Sequence, residues 1–183
     1  LPFLPTYDDF QLKYKAKLSN KDQLTVIGLG AIDQFSLNLD ANETEDQRYL
    51  LNILPVNEQW NYTIGANWKH FNSNGYSELV ASRNMLNNTA VKYRSNVEDP
   101  DSLTLDYDSR EMENKLRFEN NFRKNGWKLN YGVGYEYARY TNSTSALGTA
   151  PDGTNFSTNF SSAIDMHKWS LFGQLSKAVF EGR

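Results

Sequence analysis

From Glu111 to Tyr140 the chain alternates with period two through two strand lengths and the short turn that joins them. Met112, Leu116, Phe118 and Phe122 hold one parity, and Glu111, Glu113, Lys115, Arg117, Glu119 and Arg123 hold the other. After Lys124-Asn125-Gly126, a turn signal, Trp127, Leu129, Tyr131, Val133, Tyr135 and Tyr137 alternate with Lys128, Asn130, Gly132, Gly134 and Glu136. Successive strand side chains point to opposite faces, so this segment is a hairpin with one apolar and one wet side. The apolar side is rich in Tyr and Trp and the wet side carries a dense charged row. That combination suits a wall between lipid and a polar lumen better than the lining of a soluble core.

Composition is compatible with such a wall. The 183 residues have a mean hydropathy of −0.69 and no apolar run long enough for a membrane-crossing helix, but alternating barrel strands dilute their own hydropathy. Aromatic residues reach 14%, more than an ordinary soluble domain needs. The absence of cysteine argues against a disulfide scaffold or a thiolate metal site. A net charge of −3 gives no reason to expect a nucleic-acid partner. Leu1-Pro2-Phe3-Leu4-Pro5 has neither the basic nor the apolar part of a signal peptide, so the leader is expected to have been removed or the sequence to start within a longer protein.

Seven strands are predicted. The first, Tyr7–Ser19, sets Phe10, Leu12, Tyr14, Ala16 and Leu18 against Gln11, Lys13, Lys15 and Lys17. The second, Leu24–Leu37, has an ambiguous phase, read as Ile27, Leu29 and Ala31 on the outer, apolar face with Gly28 and Gly30 inward. A long connection, Asn38–Gln59, includes a helix over Thr44–Leu54, capped by Thr44 with Gln47 three residues on and stopped by Pro55. Trp60, Tyr62, Ile64, Ala66 and Trp68 mark the outer face of the third strand, and Leu79 and Ala81 that of a weaker fourth, Tyr76–Leu86. The two tryptophans stand ~19 Å apart across a tilted wall, close to the spacing of two aromatic girdles. Asn87–Ser102 is read as a polar loop, the hairpin supplies strands five and six, and Thr141–Ile164 is read as a Ser/Thr/Asn-rich loop. His167–Ala178 is the seventh strand, with Trp169, Leu171, Gly173 and Leu175 outward, and Phe180-Glu181-Gly182-Arg183 begins a further turn.

Short turns thus alternate with long connections, the layout of a bacterial outer-membrane barrel rather than of a sandwich. The expected fold is all-β, an antiparallel transmembrane β-barrel. An odd number of strands cannot close an antiparallel barrel, and an open sheet in lipid leaves edge groups unsatisfied. Residues 1–183 are therefore expected to be one part of a larger barrel domain.

Four segments carry a family resemblance: LPFLPTYDDFQLKYKAKLSNKDQLTVIGLGAIDQF, TEDQRYLLNILPVNEQWNYTIGANWKHF, NGYSELVASRNMLNN and KWSLFGQLSKAVFEGR. They resemble the middle of the barrel in TonB-dependent outer-membrane receptors of the Bacteroidota, over nearly the whole chain. The resemblance implies a barrel of about 22 strands, a plug domain inside it and a TonB box, these last two lying outside the present residues. It implies a receptor that binds a scarce nutrient (a metal chelate, cobalamin or a glycan) at extracellular loops and imports it with TonB-coupled energy. The partners implied are TonB, the protein's own plug, outer-membrane lipid and a surface lipoprotein. A passive porin or channel is the alternative.

The candidate site residues follow from that layout. Glu111, Glu113, Lys115, Arg117 and Glu119 would face the lumen and, in a plugged barrel, meet plug side chains. Lys13, Lys15 and Lys17 form a basic stripe on the same side. The loops Asn38–Gln59, Asn87–Ser102 and Thr141–Ile164 would face outward from the cell, and Tyr49, Tyr93, Phe156 and Phe160 are their candidate ligand contacts. His70 and His167 have no partner at metal-ligand spacing, and no Ser lies in a nucleophile-elbow context, so neither a metal, a cofactor nor an enzyme is expected. Six Asn-x-Ser/Thr sequons, at Asn42, Asn61, Asn87, Asn142, Asn155 and Asn159, are read as chance in so Asn-rich a chain.

Overall fold

Strand propensity and alternation carry most of this chain into one sheet. The computed structural model describes residues 1–177; the expected turn at 180–183 and the last residue of the expected seventh strand lie outside them. Seven strands pair antiparallel in chain order: β1 (Phe3–Lys17), β2 (Asp22–Leu37), β3 (Val56–Asn72), β4 (Gly75–Tyr93), β5 (Leu103–Lys124), β6 (Trp127–Thr149) and β7 (Asn155–Lys177). Among the described residues β1 and β7 are the free edges, and no helix is long and apolar enough to cross a membrane.

The one α-helix among the described residues, α1 (Glu45–Ile53), begins where its capping signal stands. Gln47 N donates to Thr44 Oγ1 at 3.2 Å, and Thr44 N donates to Gln47 Oε1 at 3.0 Å. These reciprocal bonds satisfy two donors that a helix start leaves orphaned. The helix rests on the end of β4 and the connection that follows it: Lys92 Nζ donates to Leu51 O at 2.7 Å and Asn96 Nδ2 to the same oxygen at 3.1 Å. Leu51 is the one buried apolar side chain among the described residues. The sheet is a single layer: even Ile64, on the interior strand β3, is 53% exposed.

Three expectations are corrected. The fourth strand does not stop at Leu86; Asn87–Tyr93 continues it, with Thr89 opposite Glu58 and Asp108. The expected loop Thr141–Ile164 is mostly strand, with Asn142 opposite Ser162 and only 150–154 left as a turn. Asn, Ser and Thr look like loop residues in isolation, but a strand wet on both sides needs no apolar alternation, and its ladder partners override local preference. The phase of β2 is the reverse of the expected one. Register pairs Ile27 with Lys13 and Leu29 with Gln11, whereas Gly28 and Gly30 face Leu12 and Phe10. The Phe10 ring lies where a side chain on Gly30 would be, 2.2 Å from the position of a Cβ. Glycine there makes room for the ring of the neighbouring strand.

Because paired residues of a ladder share a face, register divides the whole sheet. One face, hereafter ionic, holds Lys13, Asn61, Asn84, Lys115, Glu136 and Lys168; the other, apolar, holds Leu12, Ile64, Leu116, Tyr135 and Trp169. The parities read for β1, β3, β5, β6 and β7 agree with this division.

Thr44→Ala should cost α1 about 1 kcal/mol. Hydrogen exchange at the amides of Gln47 and Arg48 should then speed up about fivefold while the amides of β3 are unchanged; equal protection in both proteins would refute the role of the cap.

Candidate functional site

The ionic face owes its order to parity, which stacks charged and amide residues from neighbouring strands in rows. Thr63 Oγ1 donates to Asn84 Oδ1 at 2.7 Å, and Asn84 Nδ2 donates to Glu113 Oε2 at 3.1 Å. Glu113 pairs with Lys115 at 2.8 Å, Lys115 reaches Glu136 at 3.8 Å, and Glu136 reaches Lys168 at 3.9 Å. The result is one polar chain running across five strands, β3 to β7. A second tier lies nearer the short turns, with Arg117 beside Glu119 at 3.2 Å and Lys69 beside Glu78 at 3.4 Å. Asn67 Nδ2 donates to Glu78 Oε1 in the same tier.

Of the five charged candidates, Glu113, Lys115, Arg117 and Glu119 are therefore tied by ion pairs on this face. Glu111 forms none among the described residues and instead lines an open trough of about 720 Å³ beside the chain, with Asn61, Asn84, Tyr140, Ile164 and Met166. Trough and ionic chain are adjacent, so a bound molecule would meet amide and carboxylate groups on one side and apolar side chains on the other. Lys13, Lys15 and Lys17 share the face by register but enter no ion pair among the described residues.

The four aromatic candidates do not converge. Tyr49 stands 64% exposed on α1, and Tyr93 ends β4 just before the turn that α1 rests on. Phe156 and Phe160, expected in a loop, belong to β7, three strands from Tyr93. Phe156 covers Gly148 of β6, which explains its placement by packing. The third expected loop reduces to a turn in which Thr154 N and Oγ1 both donate to Asp152 Oδ1, at 2.9 and 2.6 Å. Those bonds hold the Asp152 carboxyl below its ordinary range. Its contribution to the turn is therefore present at neutral pH and is lost only as pH falls through that lowered value.

Sequence reading missed the amide residues that extend the charged row. Thr63 and Asn84 belong to no sequence motif, and nothing short of register sets them beside Glu113. The histidines are each absorbed locally: His70 Nδ1 sits 2.7 Å from Asp22 Oδ1, and His167 Nδ1 sits 2.8 Å from Tyr135 Oη. Among the described residues no three His, Cys, Asp or Glu side chains gather as a metal site requires. No protein-family model matches this chain, and no curated protein matches it either.

Lys115→Ala would leave Glu113 and Glu136 facing each other. These side chains are partly exposed, so each pair contributes only about 0.2–1 kcal/mol. A double-mutant cycle of Lys115→Ala with Glu113→Ala in the full-length protein should give a coupling in that range that shrinks in 1 M salt; zero coupling at low salt would show the pair to be incidental.

Proposed function

We propose that this sheet is an arc of a closed transmembrane β-barrel, of about 22 strands, in the bacterial outer membrane. On this reading the protein is a TonB-dependent receptor that captures a scarce nutrient at its long connections and imports it with energy coupled through TonB. The observation that carries the membrane half is a slanted apolar belt. The row Phe10–Gly30–Tyr62–Met85–Met112 starts apolar on β1 and ends charged at Arg139 and Asp165. The row that starts at Asn72 and Gly75 instead ends apolar, at Phe122, Leu129 and Leu175. A belt of lipid-facing residues must slant across hydrogen-bonded rows when strands tilt.

The size of the slant supports the same reading. Ile64, midway between Trp60 and Trp68, lies in one row with Tyr137 of β6, whereas the apolar run Trp127–Tyr137 is centred between Tyr131 and Val133, about five residues away. Strands ~4.8 Å apart and tilted by ~40° displace a membrane plane by a little over one residue per strand, or about four residues over three strands. A sheet covered by a second protein layer has no reason to keep that value. Unpaired edges on β1 and β7 favour closure by further strands, since open edges in hydrocarbon cost several kcal/mol per orphaned group.

The other half rests on different support. The ionic face offers paired charges to a plug, and α1 with the β4–β5 connection forms a built structure at the long-connection end, where ligands would arrive. Energy coupling and the TonB partner rest on the resemblance of the strand sequences.

Single cysteines in the full-length protein test the facing, including the β2 phase. Those replacing Val26, Leu116, Phe118 and Tyr131 should resist a water-soluble thiol reagent, and those replacing Leu29, Lys115, Arg117 and Glu136 should react; equal labelling of both sets would sink the barrel. Tyr131→Arg should destabilise by about 2–4 kcal/mol if it sits near the midplane.

Transport separates the receptor from a passive channel. Uptake of the ligand should fall to background without TonB or the proton gradient while surface binding persists. Entry that continued unchanged would identify a porin.

A further inference from the structure

Inside the slanted belt one charged residue interrupts the apolar face; Asp108, Arg110, Arg139 and Asp165 share its side but lie beyond the belt. Arg83 of β4 lies on the side that carries Leu12, Ile64, Ala81 and Tyr135, in a row flanked by Ile64 of β3 and Asn114 of β5. Its Nε donates to Tyr62 Oη at 3.1 Å and its Nη1 to Asn114 Oδ1 at 3.4 Å. Both acceptors are neutral, and among the described residues no carboxylate pairs with it. A guanidinium has five N–H donors, and these bonds engage only two of its three nitrogens. The contrast with Arg110 and Arg139 is informative: these outward arginines lie 3.1 and 3.9 Å from Asp108 and Asp165.

Beside Arg83 the same face is indented. Val26, Ile64, Ala66, Ala81 and Arg83 line a shallow groove of about 340 Å³. The indentation arises because Ala66 and Ala81 sit opposite each other on β3 and β4, while Tyr14 and Leu116 stand further along the same row. A mainly apolar groove with a cation unpaired by any carboxylate in its lining matches a molecule with a hydrocarbon chain and an anionic head. The Tyr62 bond draws the guanidinium toward Trp60, whose ring stacks with Tyr62 at 6.2 Å and 4°. That is the direction of the long connections and of one aromatic girdle. A cation kept within a lipid-facing surface is a functional feature by default, because it is costly without a partner.

We propose that Arg83 and the adjoining groove form a binding site for one membrane lipid, its phosphate on the guanidinium and an acyl chain against Ala66 and Ala81. This inference rests on the membrane reading above. The test uses the full-length protein, purified in neutral detergent and titrated by native mass spectrometry with dilauroyl phosphatidic acid, dilauroylglycerol and inorganic phosphate. Phosphatidic acid should bind at least tenfold more tightly than dilauroylglycerol, and inorganic phosphate should not bind detectably. Arg83→Gln should remove about tenfold of the phosphatidic acid affinity, Arg83→Lys should retain most of it, and Arg110→Gln should leave it unchanged. Ala81→Leu, which fills the groove but keeps the charge, should weaken it as well. Shifted mobility in unheated gels shows that each variant is folded. A folded, vesicle-inserting protein that binds phosphatidic acid equally well with and without Arg83 would overturn the lipid site alone. Inorganic phosphate binding at the strength of phosphatidic acid would overturn the acyl-chain part, and failure of the wild-type protein to enter vesicles would overturn the membrane reading itself.

Discussion

The antiparallel ladder is the interaction on which everything else in this molecule depends. With a single buried apolar side chain among the described residues, hydrophobic packing within the chain cannot order the sheet. Seven long strands are held by backbone hydrogen bonds, and register alone decides which side each residue faces. A slip of one residue would carry Lys115 and Glu136 to the apolar side and Leu116 and Tyr135 to the ionic side. The ion pairs on the ionic face oppose that slip.

Local devices tighten the ladder where side chains conflict. Glycine stands where an aromatic ring of the next strand must lie flat, as at Gly30 under Phe10 and at Gly132 under Phe172. The Phe172 contact is on the ionic face, so the arrangement serves packing across strands and not a preference for one solvent. At the long-connection end, Lys92 ties the carbonyl of Leu51 to Asn96, so two connections distant in sequence form one body. Asn96 adopts a left-handed φ of 58° that asparagine tolerates better than most residues.

Function and stability draw on the same alternation. On the reading proposed above, a membrane would cover the face rich in Leu, Tyr and Trp, and the opposite face carries the trough and the ionic chain. Arg83 stands out because it obeys neither rule. Its neighbours supply neutral acceptors only, and the indentation beside it is apolar.

Much of the fold was legible in the residues themselves. Parity in β1, β3, β5, β6 and β7, the Lys124-Asn125-Gly126 turn and the Thr44 capping box are local patterns, and local stereochemistry is enough to express them. The charged residues from Glu111 to Glu119 were legible for the same reason. Three matters were settled only in the tertiary structure. The phase of β2 depended on Phe10 needing a glycine across the ladder, a contact between strands. The continuation of β4, β6 and β7 through Asn-, Ser- and Thr-rich sequence depended on partners that supply the hydrogen bonds those residues do not demand. The joining of Thr63 and Asn84 to Glu113, and the isolation of Arg83 beside Ala66 and Ala81, depended on register between strands, which no single strand encodes.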